Sequence, residues 1–482
     1  MSDPLATLEP RPLWRYFLEL SRIPRGSKNE AAAMRWVAEQ GRSLGCAVEQ
    51  DGVGNALLRK PAAPGCEGRA TVALQVHADM VCEKNEGTPH DFEKDGIAVY
   101  RDGEVVRARG TTLGADNGIG LAAALAALAD PDLRRGALEV LVTVDEETGL
   151  AGANAIRPGW LSASYLLNLD SEEEGELTVG CAGGLDTVAT RRVSRQPPAP
   201  GRAALRVKVS GLKGGHSGTD IAAGRGSSIR ILGQVLAALQ RQGPFELVSV
   251  RGGNKRNAIA REASAVLMVD PDRAPPLRAE VARQEAAWRA ALGAFDPGLA
   301  IAVEAGSAAS VLSASDARAV IGLLLAGPHG VEAMSPALAG LVQTSTNLGV
   351  LDTRDDAVEV TFLTRSSVDA SKEALVARIA GICELAGFEV HHTGGYPGWK
   401  PDPGSPLVKL VDGVHEELFG KRMLVRAIHA GLECGLIGEK YPGLQMVSFG
   451  PTMWDAHTPD ERVSIASVQN FWRLLRGVLE RV

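Results

Sequence analysis

Several features that mark membrane, secreted or nucleic-acid-binding proteins are scarce in this 482-residue sequence. Aromatic residues make up only 4%, and the six cysteines are scattered, with no CxxC pair. No apolar run approaches the roughly 20 residues needed to cross a bilayer, and the first residues lack the uninterrupted apolar core of a signal peptide. We therefore expect no disulfide framework, no zinc knuckle and no membrane partner, and we predict a cytoplasmic protein.

Dense positive charge is also missing. The net charge is −7, and no Lys/Arg run with interleaved aromatics appears, so we expect no nucleic-acid partner. The apolar content of 45% and charged content of 23% are ordinary for a globular protein. The missing basic run also favours small substrates. Because the chain exceeds what one hydrophobic core usually serves, we predict two domains.

Strand and helix patterns alternate in the first part of the chain. Apolar residues at spacings of three and four predict helices within residues 12–45. Beyond them, ATVALQVHAD, ALEVLVTVDEE and YLLNLD predict strands, and NGIGLAAALAALAD predicts a helix. This alternation favours a three-layer α/β/α domain.

Two proline-rich stretches, residues 191–204 and 394–406, interrupt this pattern as crossings between domains would. The strands and helices between them indicate a second, α+β domain, and the style of the first domain resumes after residue 406. We therefore predict a discontinuous catalytic domain, residues 1–186 plus 401–482, with residues 187–400 inserted into it.

Acidic and imidazole side chains occur at or just past several apolar, β-branched runs. Strand ends would deliver them to one rim of a sheet, where open α/β folds place their chemistry. Two imidazoles, three ligating carboxylates and one spare carboxylate suit two divalent ions about 3.5–4 Å apart, which points to hydrolysis by metal-activated water. The candidates are His77, Asp79, Asp116, Glu146, Glu147, Asp170 and His457.

His77 and Asp79 are two positions apart in a predicted strand, so their side chains point to the same face. A ligating histidine normally donates its second ring N–H to such a carboxylate. We predict that His77 binds metal and that Asp79 lies behind it. An isolated HxD is more often a solvated strand end, and only the rest of the set favours the metal interpretation.

Asp116 lies in the glycine-rich segment RGTTLGADNGIG, just before a helix. An isolated aspartate there suits a helix N-cap equally well. A phosphate loop would need a terminal Gly-Lys-Ser/Thr, which is absent. Two cations held close together need an anion between them, and Asp116 is the predicted bridge.

The neighbouring residues Glu146 and Glu147 have diverging side chains at a strand end. We predict Glu147 as a ligand and Glu146 as the general base, which takes a proton from the attacking water and returns it to the leaving amine. Burial of Asp170 after YLLNL would be costly without a cation, and His457 supplies the second imidazole. Without the other candidates, a Glu-Glu pair would usually be exposed to solvent, and a single histidine would usually have a structural role.

At these residues the chain resembles the di-zinc peptidases of the aminopeptidase fold, and among them the aminoacyl-histidine dipeptidases. A single piece such as HxD is a weak signal, but the matching motifs follow the family's order along nearly the whole chain. They are HADMVCEKN, GTTLGADNGIG, VDEETGL, NLDSEEEGELTVGCAGG, GLKGGHSGTDI, GGNKRNAI, HAGLECG and SFGPTMWDAHTPDERV.

The resemblance implies hydrolysis of dipeptides, including Xaa-His types such as β-alanyl-histidine, with two divalent ions per subunit. Zinc is the expected metal, with cobalt or manganese as alternatives. One ion would be held by His77, Asp116 and Asp170. The other would be held by Asp116, Glu147 and His457, with Asp79 behind His77 and Glu146 as the general base.

The resemblance also implies that the inserted domain is a lid that carries the contacts of a homodimer. Within this lid, His216 would stabilise the oxyanion, and Asn257 and Arg365 would meet the substrate. Two alternatives stay open at this point. One is a deacylase of N-acyl amino acids on the same site, and the other is a peptide-binding protein without turnover, against which the intact Glu146 argues.

Overall fold

The computed structural model describes residues 5–482, which fold into two compact units. The first unit comprises the chain up to Gly180 together with Pro401–Ala427 and Leu432–Val482. The second comprises Cys181–Lys400 and the short return Ile428–Gly431, which the sequence pattern did not predict. Residues 1–4 of the predicted catalytic domain lie outside the described residues.

The proline-rich stretch 191–204, predicted as a crossing, lies inside the second unit. A strand over Gly183–Arg192 already belongs to that unit's sheet, so the chain enters the unit before the prolines. The exit lies at Lys400 and Pro401, within the second proline-rich stretch.

The helices follow one another along both units, and a short 3₁₀ turn over Pro271–Arg273 precedes the sixth. In chain order they are α1 (Arg11–Ser21), α2 (Ala31–Ser43), α3 (Ala115–Ala129), α4 (Ala151–Ala155), α5 (Ser228–Gln242), α6 (Ala274–Leu292), α7 (Ala314–Ala326), α8 (Asp369–Leu385), α9 (Pro406–Phe419), α10 (Glu433–Lys440) and α11 (Ile465–Leu479). Within the described residues, no helix combines the length and apolar character that crossing a membrane requires.

The strands of the first half of the chain are β1 (Ala47–Gln50), β2 (Ala56–Lys60), β3 (Val72–His77), β4 (Val99–Asp102), β5 (Val105–Ala108), β6 (Leu138–Thr143), β7 (Tyr165–Asn168), β8 (Glu176–Cys181), β9 (Gly183–Arg192), β10 (Arg195–Gln196), β11 (Ala203–Ser210) and β12 (Gly215–His216). Those of the second half are β13 (Glu246–Gly252), β14 (Ala258–Ile259), β15 (Ala263–Val269), β16 (Ala300–Ala305), β17 (Val311–Leu312), β18 (Gly330–Met334), β19 (Val342–Thr353), β20 (Ala357–Ser366), β21 (Glu389–Tyr396), β22 (Leu424–Ile428), β23 (Gln445–Ser448), β24 (Met453–Trp454) and β25 (Arg462–Ser464).

The first unit is built on a mixed sheet with strand order β1-β2-β6-β3-β7-β23-β8-β22. Its four central strands, β6, β3, β7 and β23, run parallel to one another. Every residue of β3 and β6 is buried, as expected for parallel strands covered on both faces. The carboxyl ends of these four strands therefore meet at one edge of the sheet.

The helix α3 is buried on almost its whole circumference, where alanine and glycine predominate. Small side chains let it pack closely against α1 and β3. Its first turn departs from helical backbone angles at Asp116 and Asn117, so the chain is still turning where the predicted bridging carboxylate lies.

The second unit has an antiparallel sheet with strand order β16-β11-β15-β13-β19-β20-β9-β21, and β18 pairs with β19. Helices α5 and α8 pack against this sheet, and α7 packs on α5. The core includes Val207, Leu232, Phe362 and Ile379, all buried. An α+β unit results, in agreement with the predicted class.

The long strand β19 was not predicted, because its segment VQTSTN has no alternation of apolar and polar residues. Its polar side chains are buried and hydrogen-bonded instead. The Thr344 hydroxyl lies 2.9 Å from the Ser366 hydroxyl, and the Asn347 amide donates to the carbonyls of Arg256 and Ala258. Such partners exist only after neighbouring strands have docked.

Candidate metal centre

Four segments that follow the parallel strands of the first unit carry the predicted metal residues other than Asp116, which lies in the first turn of α3. His77 is the last residue of β3, the acidic pair of the VDEET segment follows β6, and Asp170 follows β7. The segment with His457 follows β23. Because adjacent parallel strands end at the same edge, residues far apart in sequence become neighbours there.

The buried imidazole of His77 has a different partner on each ring nitrogen. Its Nε2 lies 3.1 Å from Oδ1 of Asp116 and 3.3 Å from Oδ1 of Asp170. Its Nδ1 lies 3.4 Å from Oδ1 of Asp79. The ring therefore presents Nε2 to the carboxylate cluster while Asp79 lies behind it.

Asp79 is fully buried and is held from several directions. Its oxygens accept the backbone amides of Glu146 at 3.1 Å and Glu147 at 3.2 Å, and the hydroxyl of Ser27 at 2.8 Å. Burial opposes its ionisation, but His77 and these donors keep the pKa of Asp79 at about 2. Asp79 thus also orients the turn that carries the acidic pair.

Asp116 occupies the middle of the cluster. Its Oδ1 faces Nε2 of His77 at 3.1 Å, while its Oδ2 faces Nε2 of His457 at 3.0 Å. The two oxygens of one carboxylate thus serve two imidazoles, an arrangement suited to a ligand shared by two cations. Hydrogen bonds from both imidazoles hold the pKa of Asp116 far below its usual range against the effect of burial.

The neighbouring residues Glu146 and Glu147 differ in their contacts. Oε2 of Glu147 lies 3.2 Å from Nε2 of His457, and its buried Oε1 has no hydrogen-bond partner among residues 5–482. Burial, followed by the charges of Asp170 and Glu433, raises the pKa of Glu146 well above its usual value. Glu147 thus contacts His457, although Glu146 and Glu147 each also offer an oxygen within 4.8 Å of a ring nitrogen of His77.

The donor set fits divalent cations. His77, Asp116 and Asp170 offer ligand atoms within 4.8 Å of one another, and so do Asp116, Glu147 and His457. Burial, together with the charge of Asp116, raises the pKa of Asp170 to about 7, because buried carboxylates this close repel one another. Hydrogen bonds that the His457 imidazole donates to Asp116 and Glu147 raise the pKa of His457 to about 11. A cation among these carboxylates would relieve their repulsion. Oε1 of Glu147, which is buried without a hydrogen-bond partner among residues 5–482, could be one of its ligand atoms.

The three predicted lid residues come together in the second unit. His216 pairs with Ala258 in the short sheet β12-β14, next to Asn257, whose carbonyl accepts the amide of Ser217. Arg365, on β20, reaches to within 3.5 Å of His216. The side chain of Asn257 is exposed, whereas that of Arg365 is buried.

Sequence reasoning missed residues that support this trio and the metal centre. Tyr396 accepts a hydrogen bond of 2.9 Å from Nη1 of Arg365 through its hydroxyl oxygen. In the first unit, Arg25 and Glu461 are buried and bind the backbone of the Asp116 turn. Glu461 stands in the motif WDAHTPDE beside His457, but nothing in the motif tells that its partners are backbone amides.

Comparison with known proteins agrees with this geometry. Residues 73–481 match the family model described as peptidase family M20/M25/M40. The chain is 42% identical over 479 residues to the cytosol non-specific dipeptidase of Escherichia coli strain K12, and this match covers 99% of each protein.

Among solved structures, the aminoacylhistidine dipeptidase of Vibrio alginolyticus is 41% identical, with a TM-score of 0.94 over 100% of this chain and 98% of that one. The aminopeptidase PepT of Bacillus cereus shares the fold, with a TM-score of 0.57 over 98% of each chain at 18% identity. These matches confirm the resemblance to aminoacyl-histidine dipeptidases that the motifs indicate. Since the family model spans most of the sequence, this chain belongs to the peptidase family M20/M25/M40.

Proposed function

We propose that this chain is a metal-dependent dipeptidase that hydrolyses the peptide bond of dipeptides, including those with carboxyl-terminal histidine. The observation that carries the proposal is Asp116, whose two oxygens face the imidazoles of His77 and His457. The substrate class is supported by the names of the Escherichia coli and Vibrio relatives, both dipeptidases.

Two divalent cations per subunit fit this centre, zinc first, with cobalt or manganese as alternatives. His77, Asp116 and Asp170 would hold one, and Asp116, Glu147 and His457 the other, as the two clusters of ligand atoms support. Such cations polarise a carbonyl oxygen and lower the pKa of a water molecule when bound. Asp79, whose Oδ1 lies 3.4 Å from Nδ1 of His77, would orient the ring so that Nε2 faces the metal side.

Glu146 acts as the proton carrier. Its carboxylate takes a proton from the attacking water, whose oxygen forms the new bond to the carbonyl carbon. The same proton then passes to the amine nitrogen as the C–N bond breaks, so that one carboxylic acid and one amine leave. The backbone N–H of Glu146 donates a hydrogen bond to Asp79, and this bond supports a defined position for the base.

The inserted domain serves as a lid and carries the contacts of a homodimer in this proposal. His216 and Arg365 offer N–H groups close together, and Asn257 lies beside His216. His216 would donate to the oxyanion in the partner subunit's active site, while Asn257 and Arg365 would meet the substrate. N–H groups placed where negative charge develops stabilise a transition state.

A cytoplasmic location is part of the proposal and is supported by the name of the Escherichia coli relative, a cytosol dipeptidase. The test of the activity is release of free amine from a panel of dipeptides and of N-acetyl amino acids, before and after removal of metal. Turnover of dipeptides that stops with chelator is the expected result. Turnover of the N-acetyl amino acids alone would replace the dipeptidase with a deacylase.

A further inference from the structure

The buried carboxylate of Glu461 accepts hydrogen bonds from four consecutive backbone amides in the turn that carries Asp116. Oε2 of Glu461 accepts the amides of Leu113 at 2.7 Å and Gly114 at 3.0 Å. Its Oε1 accepts the amides of Ala115 at 2.7 Å and Asp116 at 3.4 Å. Carboxylate oxygens only accept hydrogen bonds, and here each oxygen of Glu461 accepts two backbone N–H groups of this turn.

A buried guanidinium holds the same turn from its carbonyl side. Arg25 donates from Nη2 to the carbonyl of Gly114, and from Nη1 to the carbonyls of Ala78 at 2.8 Å and Asp79 at 2.9 Å. It thus ties the turn to the segment that follows β3. Gly114 has φ 68°, and a Cβ there would lie 2.5 Å from Nη2 of Arg25, so glycine is required.

Glu461 belongs to the same short segment as His457. The amide of Glu461 donates to the carbonyl of Thr458 at 3.1 Å, and the amide of Thr458 to the carbonyl of Asp455 at 3.2 Å. His457 itself has a left-handed φ of 63° and a half-exposed side chain, so little packing fixes its ring. The carboxylate of Glu461 is therefore a direct link between the turn of Asp116 and the segment of His457.

We propose that Glu461 is a positioning residue that joins the Asp116 turn to the His457 segment and thereby sets the affinity of their shared site for a divalent cation. This inference rests on the proposed metal roles of Asp116 and His457. In Glu461→Gln, the side-chain amide group directs N–H toward backbone N–H, so two of the four hydrogen bonds are lost and replaced by repulsion. The two loops then lose their common anchor.

The matched control is Glu139, another buried carboxylate of the first unit. It accepts the amides of Ser162 and Ala163 and the guanidinium of Arg59, but it lies near the amino end of β6, whereas the metal residues follow the carboxyl end. Glu139→Gln therefore removes a comparable buried charge without touching the Asp116 turn.

The experiment is calorimetric titration of the metal-stripped full chain with Co²⁺ alone and Zn²⁺ alone, alongside the thermal midpoint of each metal-free protein. Both Gln variants should lower the metal-free midpoint. Only Glu461→Gln should weaken cation binding, by about 10–100-fold. Glu461→Asp, which keeps the charge on a shorter stem, should restore part of the affinity and serves as the readout if the Gln variant does not fold.

Three outcomes separate the possibilities. A wild-type chain that binds neither cation would overturn the proposed function itself. Wild-type affinity in Glu461→Gln, or in Glu461→Asp where that is the only folded variant, would overturn the positioning role alone. Equal weakening in Glu139→Gln would show that metal affinity follows general stability, and this would also overturn the positioning role.

Discussion

In the second unit, Nη2 of Arg365 lies 3.5 Å from Nε2 of His216. The other ring nitrogen of His216, Nδ1, accepts the backbone amides of Gly218 at 3.3 Å and Thr219 at 3.2 Å. An accepting nitrogen carries no proton, so neutral His216 is protonated on Nε2, the side that faces Arg365. Nε2 of His216 and Nη2 of Arg365 are then both donors, and an oxygen anion within reach of both could accept from each.

Burial, reinforced by the charge of Arg365, lowers the pKa of His216. The imidazole is thus neutral at neutral pH and still offers one N–H. A donor in this state stabilises developing negative charge without carrying a full charge of its own before the reaction.

We predict that His216→Ala lowers kcat by about 10²–10³-fold, the usual contribution of one oxyanion donor. Metal content and KM should change much less, because His216 is not one of the predicted metal ligands, all of which belong to the first unit. His392, an exposed histidine on β21 of the same unit, provides the control through His392→Ala. A fall in kcat of the same size in His392→Ala as in His216→Ala would speak against the role.

Mixing tests whether His216 acts across the proposed dimer. His216→Ala and Glu146→Gln chains, each with strongly reduced turnover, should regain part of the wild-type turnover when their subunits exchange, because one mixed site has both functional residues. Steady-state assays after demonstrated exchange provide the measurement. Absence of recovery would place His216 in its own subunit's site or outside catalysis.

Metal removal is predicted to abolish turnover and to lower the thermal midpoint. The clustered carboxylates of Asp116, Glu147 and Asp170 repel one another without cations, so bound metal stabilises the folded state by an amount that grows with the logarithm of its affinity. Zinc, cobalt or manganese should restore both properties. Full turnover in excess chelator, with metal content verified by elemental analysis, would contradict the metal centre.

The acidic pair should separate catalysis from metal binding. Glu146→Gln is expected to keep both cations and to lose the general-base contribution, about 10²–10⁴-fold in turnover. Glu147→Gln should also lose metal, since Oε2 of Glu147 lies in the cluster with Asp116 and His457. Metal content is measured on both variants. Equal loss of metal from both would contradict the assignment of Glu147 as a ligand and Glu146 as a base that binds no metal.

The buried His429 predicts a pH dependence of stability. Burial, then the charge of Arg365, lowers the pKa of His429 to about 4, compared with about 6.5 in an unfolded chain. Between these values the unfolded state binds the proton and the folded state does not. The stability contribution is therefore present above about pH 6.5 and is lost as the pH falls toward 4, by up to about 1.4 kcal/mol per pH unit.

Thermal midpoints from pH 7 to pH 4 measure this effect. His429→Gln should flatten the pH slope, even if it lowers stability at every pH through loss of the 2.7 Å contact with Ser345. The exposed His391→Gln should leave the slope as it is in the wild type. An unchanged slope in His429→Gln would assign the acid sensitivity to other groups.

Much of the candidate metal centre was predictable because its residues end apolar strands. His77 and Asp170 close the buried runs of β3 and β7, and local hydrophobic pattern is enough to locate such ends. The fold class follows from the same alternation of strands and helices. By contrast, the buried polar run of β19 lacks this pattern, so the strand could not be predicted from the sequence. Its polar side chains are stabilised by residues on other strands, such as Ser366.

The proline-rich stretch 191–204 shows a second limit of local pattern. Proline marks a break in regular structure, but it does not tell on which side of a domain boundary the break lies. The continuous strand β9 carries the chain into the second unit before the prolines, and the return of residues 428–431 to that unit has no composition signal at all.

Residue type and spacing along the chain were enough to nominate His77, Asp116 and His457, because metal chemistry restricts which side chains can serve. Tertiary structure alone assigned each Asp116 oxygen to a different imidazole, brought Glu461 onto the amides of residues 113–116, and brought Arg365 to within 3.5 Å of His216. These relationships depend on distances between segments far apart in sequence. Such distances exist only after the strands have paired and the loops have docked, which no local pattern encodes.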